Sequence, residues 1–436
     1  MRRVLIISPH FPPVNAPDMH RVRLALPFFK DLGWEATVLA VAPETIEGAV
    51  LEPTLVETYP ADIRVVRVRG ISPHLTRPLG FGSLWWRAGS ALRRAGDRLL
   101  AENRFDLVFF STTQFPVFTL GPHWRTRFGV PYVLDYQDPW INDHYARTGA
   151  RPPGGWLRFR VAQWNALRHE ARVIRSAAAI ITVSPAYGPA LQTRYPELPD
   201  ARFRQLPFGA SAADFAIARQ HPPAAPLVHE EAGVFNVVYT GRCVPGMAPA
   251  LTLLFRALRL HLDRAPSSGR RFRFYFIGTD YAPAAQARPM VLPLAALEGV
   301  ADHVFEHPPR IPYFEALHYL DRSDAILVLG SDDTGYNASK LYPCLLAARP
   351  LLCIAHSRSP IYQTARQYTP DSTFASDCVA EAATAETERL ALNWLGGDAC
   401  LHPPSLAPDA LLPHTSETMT RHLAEVFAQA PNSSRT

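Results

Sequence analysis

Short apolar runs separated by helix-like stretches constrain this chain more than any other feature. In the first half the runs are "RVLIIS", "ATVLAV", "IRVVRV", "DLVFFS", "YVLDY" and "AIITVS". Each is β-branched and bounded by turn residues, the pattern of a buried strand. Helical stretches 19–32, 84–103 and 158–176 lie between them. Uninterrupted apolar strands alternating with helices predict a parallel, doubly wound sheet. A segment rich in proline and alanine, "RQHPPAAPLVHEEAG", 219–233, breaks the pattern and reads as an interdomain linker. The pattern then restarts with "FNVVYTG", "RFYFIG", "HVFEH", "AILVLG" and "LLCIA". The expected division is 1–218, the linker 219–233, a second α/β domain over 234–412, and a last helix within 413–430 returning to the first domain. A chain of 436 residues is also too long for one ordinary core. Ligands of such sheets bind outside the carboxyl ends of the strands, so the loops after strands are where chemistry is sought.

Composition narrows the class. The chain is 47% hydrophobic and 19% charged, which is globular rather than disordered. A net charge of +5 fits an anionic ligand or an acidic membrane surface. No nucleic-acid partner is expected. The start, "MRRVLIISPHFPP", is broken by Pro9 and Pro12 too early for a signal peptide and reads as a first strand. No apolar run approaches the ~20 residues of a membrane span. The five cysteines show no CxxC pair and no metal spacing, so they are read as reduced thiols of a cytoplasmic protein without a metal site.

Several loops carry chemistry-bearing residues. In "SPHFPPVNAPDMHRVRLALPFFKDLGW" a strand ends at Ser8, and Asp18 reads as an early helix residue or a cap. That helix start would offer free N–H groups to an anion. In "YVLDYQDPWIND", 132–143, a strand delivers Gln137, Asp138 and Trp140 into a loop. A carboxylate there can orient an acceptor hydroxyl or accept its proton, or it can simply cap the turn before Pro139. His144 follows closely and can serve the same role, or be a structural or surface residue. In "VVYTGRCVPGM", Arg242 follows a tight Gly241, and a guanidinium can bridge two phosphate oxygens. In "SDDTGYNASKLYPCLLAARPLL", Ser339 and Lys340 stand at a helix start. Lys30 and Lys340 are the only lysines among 44 Lys+Arg. A compact ammonium suits a phosphate as a point charge, which gives a reason for a lysine where arginine is the norm.

These segments together resemble the family 4 glycosyltransferases: the strand, "FPP", loop and helix of the opening; "QDPW"; "AIITVS"; "FGASAADF"; and the "KLYPCLLA" helix. The resemblance implies a GT-B fold, an α/β architecture of two doubly wound Rossmann-like domains facing a central cleft. It implies retaining transfer of a sugar from a nucleotide-diphosphate sugar to an acceptor, in polysaccharide, glycolipid or natural-product biosynthesis. It implies no cofactor and no metal. By resemblance Arg242, Lys340 and Ser339 neutralise the leaving diphosphate, Pro309, Arg310 and Ile311 lie against the base, and Gly335, Tyr336 and Asn337 hold the sugar. Asn15 stands where a glycine pair faces the donor, and Gln137, Asp138 and His144 face the acceptor. Asp138, Arg242 and Lys340 are the catalytic candidates. The family's two glutamates are replaced by Gly335 and Pro343. Two other readings therefore stay open: a non-catalytic GT-B protein that binds a sugar nucleotide or a partner, and a GT-B sugar-nucleotide epimerase.

Two helices mix aromatic and basic residues: "LWWRAGSALRRAGDRLLAENRF", 84–105, and "GGWLRFRVAQWNALRHEARVIR". Each fits either a helix lying on anionic lipid at the inner face of a membrane or an ordinary core helix.

Overall fold

The computed structural model describes residues 1–76, 82–141, 152, 155–264, 271–280, 282, 284–335, 340–378, 380–407 and 409–430. The chain divides into two compact units, Met1–Gly209 with His414–Thr436, and Ala210–Pro413.

The first unit is built on seven parallel strands: β1 (Arg2–Ile7), β2 (Trp34–Val41), β3 (Arg64–Val68), β4 (Leu107–Ser111), β5 (Tyr132–Tyr136), β6 (Ala179–Thr182) and β7 (Phe203–Gln205). Their spatial order is β3-β2-β1-β4-β5-β6-β7. Ile7 therefore stands between Leu39 and Phe110, and Ser111 stands beside Asp135. The order reverses between β1 and β4, which opens a crevice outside their carboxyl ends. One face of the sheet packs Phe110, Phe118 and Leu134 on Trp124 and Leu92. The other face packs Phe29, Trp34 and Phe109 around Phe427 of the helix Ser416–Gln429. The ring centroids of these three lie 4.9–5.8 Å from that of Phe427. Gly209 is required here, because a Cβ would lie 2.5 Å from the Thr415 carbonyl oxygen at the start of that helix.

The second unit has six parallel strands: β8 (Val234–Thr240), β9 (Arg271–Ile277), β10 (Val304–His307), β11 (Ala325–Leu329), β12 (Leu351–Ala355) and β13 (Thr373–Ala375). Their order is β10-β9-β8-β11-β12-β13, with the reversal between β8 and β11. Among the described residues no helix is long and apolar enough to cross a membrane, and all five cysteines are free thiols.

The division falls at Gly209, earlier than the linker expected at 219–233. The helix Ala212–Gln220 already packs on the helix Tyr313–Arg322 of the second unit. Arg219 clasps Asp321 at 2.6 and 3.0 Å, and Leu227 N donates to Tyr319 Oη at 3.1 Å. Proline and alanine mark irregular backbone, but composition does not say which core that backbone joins.

Candidate functional site

In each unit, polar and charged groups gather at the carboxyl edge of the sheet, where the strand order reverses.

In the first unit the loop after β1 turns His10 back onto Asp18, with Nδ1 and Oδ1 2.8 Å apart. Of the two readings offered for Asp18, the structure takes the first: it lies in the short helical turn Pro17–Met19 and its side chain makes no cap. Its carboxylate is buried and reaches across to the end of β4. There it accepts from Thr112 Oγ1 (2.9 Å), Thr113 N (3.1 Å) and Thr113 Oγ1 (3.3 Å). Burial alone would lift the Asp18 carboxyl, but His10 and these donors hold it below the ordinary carboxylate range. Burial pulls His10 down, yet the charge and hydrogen bond of Asp18 outweigh it and the net displacement is upward. Each shift favours the charged form of its group. The pair's contribution to stability is lost as pH falls through the lowered value of Asp18, or rises through the raised value of His10.

Behind this pair lies a fully buried ion pair. Arg21 Nε meets Asp135 Oδ2 at 2.8 Å. The same oxygen accepts from Ser111 Oγ (2.8 Å) and from Gln137 Nε2 (2.8 Å). Arg21 also donates to the Leu206 and Pro207 carbonyls, and its guanidinium stacks on the Phe208 ring at 4.7 Å. Asp135 Oδ1 is buried without a hydrogen-bond partner. Gln137, expected to face an acceptor, is instead buried, with Nε2 also 3.1 Å from the Asp18 carbonyl and from Ser111 Oγ.

Asp138 follows Gln137 and, unlike it, is exposed. Trp140, buried against Phe115, pins the far side of the turn. Asp138 is solvent-accessible on one side, yet the surrounding protein desolvates its carboxyl and, with the charge of Asp18, raises it to about 6. Water at the open face limits how far desolvation can push it. Asn15, expected on the donor, is buried, and its Nδ2 donates to Glu52 Oε2 at 2.7 Å. His144 lies outside the described residues.

In the second unit Gly241 ends β8 with φ +125°, a conformation that favours glycine. Lys340, although accessible as a residue, turns its ammonium inward over this turn. Nζ donates to the Thr240 carbonyl at 2.9 Å and lies 5.7 Å from the Tyr239 ring centroid. A Cβ at Gly241 would fall 1.3 Å from that nitrogen. Burial, aided by the neighbouring charge of Arg310, lowers the Lys340 ammonium below its ordinary value. Arg242 is exposed on the adjoining loop, where its carbonyl accepts from Tyr239 Oη at 2.8 Å. Pro309, Arg310 and Ile311 are half-buried in the turn after β10, and the Arg310 Cα would touch a Cβ placed on Gly278 at 4.0 Å. Gly335 N donates to Asp333 Oδ1 at 2.9 Å. Tyr336, Asn337 and Ser339 lie outside the described residues. Pro343 sits early in the helix Leu341–Leu346, where a missing N–H costs no helical bond.

Sequence reading missed Arg21, the His10–Asp18 pair and Thr112. The one available signal was charge on an apolar helix: Arg21 and Arg23 interrupt the buried face of "HRVRLALPFF". Among the described residues no group of three or more His, Cys, Asp or Glu could hold a metal ion.

Residues 22–209 match the glycosyl transferase 4-like domain family. No curated protein matches the chain. Among solved structures, a glycosyltransferase from Rickettsia africae superposes with a TM-score of 0.60 at 12% identity, covering 98% of each chain. Sucrose-phosphate synthase from Thermosynechococcus elongatus gives 0.58 at 14% identity, covering 98% of this chain and 99% of that one. HepE of Anabaena, solved with UDP and glucose, gives 0.55 at 14% identity, covering 98% of this chain and 100% of that one. At such identities the likeness speaks for the fold, which is GT-B.

Proposed function

We infer that this chain, a glycosyltransferase by the family 4-like domain it carries, moves a sugar from a nucleotide-diphosphate sugar to an acceptor hydroxyl with retention of anomeric configuration. The observation that supports this most is the meeting of Lys340 and Arg310 over the Gly241 turn, at the strand-order reversal of the second unit. A buried ammonium with a depressed pKa gains charge stabilisation when an oxyanion arrives. One of its three N–H groups is used on Thr240, which leaves donors for a phosphate oxygen. Arg242 adds a guanidinium on the adjoining loop, and the backbone at Pro309–Ile311 borders the base. Preorganised cations of this kind stabilise the charge that develops on a leaving diphosphate. No metal is needed in this scheme, so excess chelator is expected to leave turnover unchanged in a coupled assay of nucleotide release.

The first unit presents the acceptor. Asp138 would take the hydroxyl proton, with Gln137, buried beneath it, acting as a positioning residue. Asp138→Asn is expected to lower kcat by roughly 10²–10⁴-fold. Wild-type kcat/KM should rise through a limb near pH 6, because only the ionised carboxylate accepts a proton. The variant should lose that limb, and a variant that keeps it removes Asp138 from the role. The donor is tested by a thermal-shift panel of UDP, GDP, ADP, TDP and CDP. A ligand at 100 times its Kd stabilises by about 2.7 kcal/mol. No shift with any of them overturns the nucleotide-sugar reading. Proton NMR of the first-formed product distinguishes retention from inversion. The site of action is proposed to be cytoplasmic, at the inner face of a membrane.

A further inference from the structure

The helix Trp156–Ser176 has a divided character. Its C-terminal half is anchored: Ala166, Val173 and Ile174 enter the core, and Glu170 is buried against Tyr136, Arg194 and Tyr195. The N-terminal half projects large apolar side chains into solvent. Leu157 is 78% exposed, Val161 58%, Trp164 62% and Leu167 65%, with Trp156 beside them at 44%. At 100° per residue these five fall within about 140° of the circumference, with Ala166 and Val173 on the opposite side of the helix. Isolated exposed apolar residues are ordinary, but a contiguous stripe of this size is not.

The charge on this face is of one sign. Arg158, Arg160, Arg168 and Arg172 are all exposed, and the Arg168 guanidinium lies 5.6 Å from the Trp164 ring centroid. The helix contains one acid, Glu170, and it is buried. Tryptophan and leucine interleaved with arginine, without an exposed carboxylate, match a bilayer interface whose headgroups are negative. The helix Leu84–Glu102, the other sequence candidate, does not share this character. It buries Leu84, Arg87, Ala88, Leu92, Leu99 and Leu100, and of its large apolar side chains only Trp86 stands exposed.

We propose that the N-terminal half of the Trp156–Ser176 helix docks the chain on an anionic lipid surface. The helix crosses back from β5 to β6, so its N-terminal half lies at the carboxyl edge of the first sheet. It packs there on the turn Phe115–Thr119 that follows β4. Asp138 stands at the same edge, so docking brings the Asp138 loop to the lipid headgroups.

The test is co-sedimentation of the full chain with phosphatidylcholine vesicles, with and without phosphatidylglycerol, at low and high salt. The wild type should pellet only with phosphatidylglycerol, and less at high salt. Arg158→Gln, Arg160→Gln and Arg168→Gln together should weaken the partition on the order of a hundredfold, at about fivefold per arginine. Leu157→Ser with Trp164→Ser should release the chain from vesicles while leaving its melting temperature unchanged, since neither side chain enters the core. Equal pelleting with neutral vesicles, or none with either, overturns the proposal. So does concentration-dependent dimerisation in sedimentation velocity that the Leu157→Ser, Trp164→Ser variant dissolves, because the stripe would then be covered by a second copy of the chain.

Discussion

Alanine at position 241 should weaken nucleotide-diphosphate binding roughly tenfold to more than a hundredfold without unfolding the chain. The added methyl group would occupy the place of Lys340 Nζ, 1.3 Å away, and would lie 2.7 Å from Cε. The side chain must leave, and with it the bond to the Thr240 carbonyl. A hydrogen bond to a charged group contributes about 1.5–3 kcal/mol, which is about one to two powers of ten in affinity. The φ of +125° adds backbone strain for any residue with a Cβ. Lys340→Ala removes the ammonium without that strain, so its affinity loss should match or fall slightly below that of Gly241→Ala. Calorimetric titration with the nucleotide found in the thermal panel reads both. If either variant binds with wild-type affinity, the ammonium is not a phosphate ligand.

Arg21→Met should be the most destabilising single change in the first unit. It leaves Asp135 in a fully buried position with Ser111 and Gln137 as its remaining donors, and one carboxylate oxygen without a partner in either case. Removing one member of a buried ion pair costs about 3–5 kcal/mol. At about 2–4 °C per kcal/mol, the melting of this unit should fall by roughly 6–20 °C. Adding Asp135→Leu should recover part of the loss, because the uncompensated carboxylate is then gone. Calorimetry of the two single variants and the double variant gives the coupling directly. A loss below 1 kcal/mol for Arg21→Met would mean that this ion pair does not hold the first unit together.

What the sequence reveals here follows from the range of the interactions. Strands such as "YVLDY" and "DLVFFS" announce themselves because most of their residues are apolar and buried, and β5 begins and ends where its pattern does. β13 went unread because it has only three residues, Thr373–Ala375. Lys340 stood out through its rarity, and the structure puts its ammonium on the turn that Gly241 makes possible. The edge of the first sheet was less legible. Asp138 was visible as a carboxylate after a strand, but its displaced pKa comes in part from Asp18, on a different loop. Arg21 and Asp135 are separated by 114 positions, and no local periodicity connects them. Gln137 was placed on the acceptor by resemblance, whereas the buried oxygens of Asp135 and Ser111 draw it in.

The helix Ser416–Gln429 has a consequence for how the protein comes off the ribosome. Ala210–Pro413 is continuous, so that unit can close once Trp394, Leu395 and Cys400 of its core have been made. The first unit begins earlier but finishes later, since Phe29, Trp34 and Phe109 stay uncovered until Phe427 arrives. At about 5–20 residues per second, roughly 10–40 s of synthesis separate Gly209 from His414. During that interval this face of the seven-stranded sheet is covered only in part, by the helix His20–Phe29. A chaperone that binds nascent chains would meet that face, and a chain stopped before Ser416 would never cover it.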